Sequence, residues 1–309
     1  SSSTPLYNQA LNHKTAPGST FKPLVALTGL NEGVITTNTA FNCTGLYDKI
    51  TPAAKCWKYP GRHGSKNVSG AIEASCNYFF YEVGYLLGDK SGTYSSKEGL
   101  DYLKKYATQL GLNKKSGIEL DEASPQASDE SSVRSAIGQG SNSYTPSQIA
   151  NYVTTLSNRG TVFDLSIMDK ITDEDGKTVK KYKVKEKRQL NYKDEYWDAV
   201  QSGMRGVVTG AGSSVSSVFR GAKYQIAGKT GTAQEDKTRP NHALFISYGP
   251  YEDPEIAVAA VIPFGYTSSN AASLAKNIYD YYFANDKEKE KLEKNNQTAT
   301  EAASGVVGD

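Results

Sequence analysis

The stretch Pro17-Gly18-Ser19-Thr20-Phe21-Lys22-Pro23 places a turn former, a serine and a lysine at the head of an apolar run that continues to Leu30. A helix beginning near Gly18 projects Ser19 and Lys22, three positions apart, from one face of its first turn. A serine hydroxyl attacks well only when a neighbour accepts its proton. A lysine can accept it only where burial or another cation lowers its pKa. The pattern therefore asks for a fold that buries a helix start and brings a second cation to it. Alone, the same spacing fits an N-capping serine followed by a solvated lysine.

Two further stretches change the reading. Ser75-Cys76-Asn77 lies within Val68–Leu87, which is helical in pattern, and Lys229-Thr230-Gly231-Thr232 lies within the β-like run Tyr224–Gln234. Each match is weak singly. In this chain order, across intervals that a folded domain can close, the three form the set Ser-x-x-Lys, Ser-x-Asn, Lys-Thr-Gly shared by serine β-lactamases and penicillin-binding proteins.

With 309 residues the chain can bury a sizeable core in one large domain or two smaller ones. The formal net charge is +2 and no basic block is interleaved with aromatics, so there is no footprint for nucleic acid. The longest apolar run, Ile256–Phe264, is too short to cross a bilayer, and the N-terminus has no signal-like apolar segment. The 3 cysteines cannot all pair with one another, so a purely disulfide framework is excluded.

Taken in order, residues 1–16 suit an extended or short helical lead-in, and the Ser19 helix runs to about Leu30 before Gly33. Phe41–Val68 lacks periodicity and reads as a loop in need of a staple. Val68–Leu87 and Glu98–Leu110 read as helices, the second closed by Gly111. Ile137-Gly138-Gln139-Gly140 is a glycine-rich turn. Thr145-Pro146-Ser147-Gln148 carries a capping-box helix start. In Thr161–Val184 two polar alternating runs flank the turn Asp173-Glu174-Asp175-Gly176, a hairpin signal, and residues 193–208 return to helical pattern. Tyr224–Ala233, Ala243–Tyr248 and Ile256–Pro263 read as adjacent antiparallel strands, and Ala271–Phe283 as a closing helix. The remainder, with its Lys/Glu block, reads as a disordered tail, which divides the chain into a domain over 1–283 and a tail over 284–309.

Pro5-Leu6-Tyr7-Asn8-Gln9-Ala10-Leu11 ahead of the Ser19 motif, Ile137-Gly138-Gln139-Gly140, and Gly203-Met204-Arg205-Gly206-Val207-Val208 ahead of Ala227-Gly228-Lys229-Thr230-Gly231-Thr232-Ala233-Gln234 resemble the transpeptidase domain of class B penicillin-binding proteins. The resemblance covers nearly all of residues 5–283. Cys56-Trp57-Lys58, His63-Gly64 and Asn77-Tyr78-Phe79-Phe80-Tyr81 are most similar to the cell-elongation type, penicillin-binding protein 2. It implies an α+β fold, an antiparallel sheet flanked by helices with a mostly helical subdomain as the other wall of a cleft. It also implies acyl transfer. Ser19 attacks the D-Ala-D-Ala amide of a peptidoglycan stem peptide, Lys22 takes its proton, and Ser75 and Asn77 relay protons and hold the substrate amide. Lys229, Thr230 and Gly231 then form the binding edge for the substrate carboxylate and extended peptide. The backbone N–H groups of Ser19 and Thr232 make the oxyanion site. The middle residue of the second motif is Cys76, so only Ser75 and Asn77 can face the chemistry.

The resemblance further implies acylation by β-lactams, a glycosyltransferase partner of the elongation machinery, and a place on the outer face of the bacterial membrane behind an upstream anchoring helix. Two other readings share the motifs. A serine β-lactamase would need a deacylating base, for which Glu119, Asp121 and Glu122 are the nearest carboxylates. A β-lactam sensor domain would keep every motif and stay acylated. Elongation-type members include zinc-binding ones, and Cys43, Cys56, His63 and Cys76 would supply the three thiolates and one imidazole of a structural Zn2+ site, with Asp48 as a substitute ligand. The competing expectation is a Cys43–Cys56 disulfide with Cys76 as a buried thiol.

Overall fold

The computed structural model describes residues 6–183, 185–233 and 240–294. Local capping sets most of the helix starts. The Asn8 side chain accepts from the N–H groups of Ala10 and Leu11 to open α1 (Gln9–Asn12). A 3-10 turn over Gly18–Phe21 then leads into α2 (Lys22–Asn31), where Pro23 falls in the first turn and forfeits no helical hydrogen bond. From Lys22 to Leu30 every residue of α2 is buried, so this is a central helix and not an amphipathic surface one.

The 41–68 stretch, expected as a loop, instead contains two small antiparallel ribbons. Of its strands β1 (Phe41–Cys43), β2 (Leu46–Tyr47), β3 (Ala54–Lys55) and β4 (Gly64–Lys66), β1 pairs with β4 and β2 with β3. The helix expected over Val68–Leu87 is two, α3 (Val68–Glu73) and α4 (Asn77–Gly88). Between them Ser75 takes φ +49°, a left-handed conformation that ends one helix and redirects the next. Apolar Ile72, Phe79 and Phe80 carry helical spacing across the break, so periodicity does not reveal it.

Helix α5 (Ser96–Gln109) starts on a Ser95 cap and ends ahead of Gly111, which adopts φ +84° as a helix terminator does. Short α6 (Ser132–Ser135) precedes the glycine-rich turn. Helix α7 (Pro146–Ser157) opens with the expected capping box, Thr145 and Gln148 bonding reciprocally. Strands β5 (Thr161–Asp164), β6 (Lys170–Thr172), β7 (Thr178–Lys181) and β8 (Lys185–Gln189) follow. β6 and β7 make the hairpin around Asp173–Gly176, while β5 pairs with β8 around it. Val184, the expected end of that region, lies outside the described residues.

Helix α8 (Asp194–Thr209) packs on α3, and the main sheet closes the fold. Strands β9 (Ala227–Ala233), β10 (His242–Gly249) and β11 (Ile256–Ile262) run antiparallel in the order β11-β10-β9, as the three apolar runs predict. Every residue of β10 is buried, because α9 (Ser268–Tyr282) and α7 pack against the sheet. Strand β9 starts at Ala227, three residues later than expected, and Gln234 lies outside the described residues. Where a disordered tail was expected from 284 onward, residues 286–294 are helical, with an i,i+4 Glu290–Lys294 pair at 2.7 Å. Residues 295–309 lie outside the described residues.

Candidate active site

The Ser19 turn is wedged between the helical wall and the edge strand by main-chain contacts. Gly18 donates its N–H to Gly138 O at 3.1 Å and adopts φ +51°. A Cβ on Gly18 would stand 2.5 Å from Thr232 O, and one on Gly138 would stand 2.0 Å from Gly18 O. Only glycine lets the three backbones approach so closely. The glycine-rich turn and the Lys-Thr-Gly strand are thereby brought to the serine.

Among the described residues Ser19 Oγ makes no hydrogen bond and Ser19 N–H has no acceptor, as expected of a first-turn amide. A free amide at the start of a helix suits developing negative charge. The Tyr152 hydroxyl anchors the same turn by accepting Leu24 N–H at 2.9 Å. Lys22 is fully buried. Its ammonium donates to Ser75 O at 2.8 Å, to Ser75 Oγ at 3.0 Å and to Asn77 Oδ1 at 2.6 Å. Burial lowers the Lys22 pKa to about 7, against a smaller opposing pull from the thiols of Cys76 and Cys56.

Lys229 reaches the same hydroxyl from the sheet. Its Nζ is 2.9 Å from Ser75 Oγ, and it also donates to Thr230 O at 3.1 Å and Thr230 Oγ1 at 3.4 Å. Complete burial, and then the charge of Lys22, hold its pKa well below the ordinary lysine value. The second cation demanded by the Ser19–Lys22 pattern is thus present. The left-handed Ser75 backbone turns its hydroxyl toward both lysines while Cys76 points into the core.

These groups open on a cleft of about 700 Å³ lined by Ser19, Ser75, Asn77, Gln139, Thr230 and Thr232 among others. Gly231 departs from the expectation that it borders the peptide path. A Cβ there would meet Thr20 Cγ2 at 2.7 Å and Leu244 Cβ at 3.1 Å, so its bare side faces the Ser19 turn and permits tight packing of β9 against it. Among the cleft residues given no role in the sequence reading are Trp57 and Glu73. Trp57 is 62% exposed yet fixed by its indole N–H, which donates to Ser75 O at 3.1 Å and Ala74 O at 3.2 Å. Glu73 closes α3 two residues before Ser75. Its place beside a catalytic motif was the available signal. Glu119 accepts from Ser166 and Ile167, Glu122 is buried against Ser116 and Ser147, and among the described residues neither they nor Asp121 line the cleft.

Behind the second motif, the ligand atoms of Cys43, Cys56, His63 and Cys76 all lie within 4.8 Å of one another. His63 Nδ1 is 3.6 Å from Cys43 Sγ and 3.4 Å from Cys56 Sγ, and no disulfide joins the cysteines. A tetrahedral ion with ordinary Zn–S and Zn–N lengths has S···N edges of about 3.5 Å, so the donor set fits such an ion. A hydrogen bond from the Cys76 thiol holds the Cys56 thiol pKa below its ordinary value. Asp48 is not part of this cluster.

A family model described as the penicillin binding protein transpeptidase domain matches residues 1–280. The chain belongs to the penicillin-binding protein transpeptidase family. Among curated members it is 30% identical to the peptidoglycan D,D-transpeptidase MrdA of Haemophilus influenzae, covering 90% of this chain and 46% of that one. The chain thus spans about half the length of the curated relatives it matches. The crystal structure of Pseudomonas aeruginosa PBP2 in complex with WCK 5153 is similar at TM-score 0.77 and 29% identity, over 94% of this chain and 66% of that one. A structure titled as the structural coordination of polymerization and crosslinking by a peptidoglycan synthase complex matches at TM-score 0.74 and 26% identity, over 89% of this chain and 47% of that one. The expected fold, helices around an antiparallel sheet with a helical opposite wall, is the one this family of penicillin-binding proteins shares.

Proposed function

We propose that residues 1–283 form a peptidoglycan D,D-transpeptidase domain of the elongation type that works through an acyl-enzyme on Ser19. The observation that carries this reading is the meeting of Lys22 and Lys229 on Ser75 Oγ beside an unpartnered Ser19 N–H. Ser19 Oγ adds to the penultimate D-alanine carbonyl while its proton passes to neutral Lys22. The oxyanion is met by the N–H groups of Ser19 and Thr232. As the C–N bond breaks, the departing D-alanine nitrogen takes a proton from Lys22 through Ser75. An amine of a second stem peptide then attacks the ester, the C–O bond breaks, and the proton the amine loses passes through Lys22 to Ser19 Oγ. Lys229 and Thr230 hold the donor carboxylate, and Asn77 holds the donor amide. β-Lactams imitate the donor and stop at the ester.

Intact mass after incubation with a penicillin tests the assignment, because the adduct must vanish in Ser19→Ala. Turnover of a stem-peptide thioester separates a transpeptidase from a β-lactam sensor. Rapid hydrolysis of a chromogenic cephalosporin would instead mark a β-lactamase.

The reading extends to three features. Cys43, Cys56, His63 and Cys76 would hold a structural Zn2+, which supplies rigidity behind the Ser75–Asn77 segment and no chemistry toward substrate. A glycosyltransferase of the elongation machinery would be the partner, in keeping with the synthase-complex relative. The domain would work outside the cytoplasmic membrane behind an upstream anchoring helix; among the described residues no helix is long and apolar enough to cross a membrane.

A further inference from the structure

The cleft holds an acid that the steps above leave unused. Glu73 ends α3 and lines the same cleft as Ser19, Thr230 and Thr232. Its carboxylate lies over two glycines at the C-terminal end of α8. A Cβ on Gly206 would stand 2.9 Å from Glu73 Oε2, and one on Gly210 would stand 2.6 Å from Oε1. The carboxylate occupies the space that missing side chains leave.

Glu73 is exposed where two helix ends meet. Two helices, α3 and α8, end here, and helix C-termini carry partial negative charge. Among the described residues Glu73 makes no hydrogen bond and no ion pair, although Lys58, His63 and Lys66 line the same cleft. It is also the one carboxylate among the described residues of that lining. Glu73 is exposed, so a cation brought into the cleft can reach its carboxylate.

We propose that Glu73 binds the ammonium group of the acceptor strand, an inference that rests on the transpeptidase reading. The donor brings an anion, which Lys229 of the third motif attracts. The acceptor brings an amine that is protonated at neutral pH. Charges of opposite sign on separate parts of one cleft sort the two peptides, so the anionic end goes to Lys229 and the cationic end to Glu73. Glu73 forms no covalent bond. It raises the local concentration of acceptor; the ammonium gives one proton to bulk water, and the free amine then attacks the ester, its second proton reaching Ser19 Oγ through neutral Lys22.

The test uses the whole domain, a stem-peptide thioester as donor, and two acceptors: a stem peptide with a free side-chain amine, and hydroxylamine, which is uncharged at neutral pH. Glu73→Gln keeps shape and removes charge. The KM for the cationic acceptor should rise about tenfold, the loss of one charge-assisted hydrogen bond, with kcat changed less than about threefold. Aminolysis by hydroxylamine should be preserved, and Glu73→Asp should recover part of the loss. Equal losses with both acceptors, or an unchanged KM for the cationic one, overturn the proposal. A loss confined to hydrolysis of the acyl-enzyme overturns it in favour of a water-activating base. Absence of aminolysis in the unsubstituted domain is a different failure, that of the transpeptidase reading itself.

Discussion

Lys22 and Lys229 direct their ammonium nitrogens at one oxygen, the Ser75 hydroxyl, from 3.0 and 2.9 Å. Two buried cations on one neutral acceptor repel, and the repulsion adds to desolvation in lowering the Lys229 pKa. The hydroxyl between them can pass a proton from either side.

Acylation should therefore depend on pH through Lys22. Its pKa falls from the ordinary 10.5 to about 7, so the free base accumulates as pH rises through 7. The rate of penicillin acylation should climb between about pH 6 and 8 and then level off. The stability contribution has the matching sign. A depressed lysine pKa favours folding fully above 10.5, and that advantage is lost as pH falls to about 7. Stopped-flow acylation across this range checks the rate, and a flat profile would exclude Lys22 as the base.

Lys229→Met should separate function from stability. The substitution removes a fully buried cation whose desolvation is poorly compensated, so the melting temperature should hold or rise. Acylation should fall by about a hundredfold or more, as expected when a preorganised electrostatic group is lost. Parallel losses in melting temperature and rate would assign Lys229 a structural role.

Gly138→Ala should damage both properties. The new methyl meets Gly18 O at 2.0 Å, and the residue must also hold φ +74°. Strain and displacement together should cost about 2–4 kcal/mol in chemical denaturation. Because Gly18 adjoins Ser19, acylation should slow beyond what the loss of folded protein explains.

Metal analysis decides the thiol cluster. Protein purified without added zinc should carry about one equivalent, and chelation or Cys76→Ser should lower melting temperature and acylation together. Metal-free protein with undiminished acylation would leave the cluster as packed thiols.

The three motifs that meet in the cleft are legible in the sequence because the chemistry proposed for them needs particular residue types at short spacing. The capping box at Thr145 and the three strands of the main sheet are legible for the same local reason. The helix break at Ser75 is not, since Ile72 and Phe79 keep helical spacing on either side of it. Nor is the role of Gly231, which packs on Thr20 and not on a substrate, because that depends on a neighbour distant in the chain. Glu73 reads as an ordinary surface acid until α8 is seen to end beside it.

The seam of main-chain atoms joining Gly18, Gly138 and Thr232 also bears on how this domain can change under antibiotic selection. At the rim, exposed Trp57 borders the cleft, and a change there leaves the Gly18–Gly138 contact beside Ser19 in place. At the seam, no side chain larger than hydrogen fits at Gly18 or Gly138, so a single substitution displaces Ser19. Inherited resistance in such a domain should therefore accumulate from the rim inward, with the glycines as the last positions to vary.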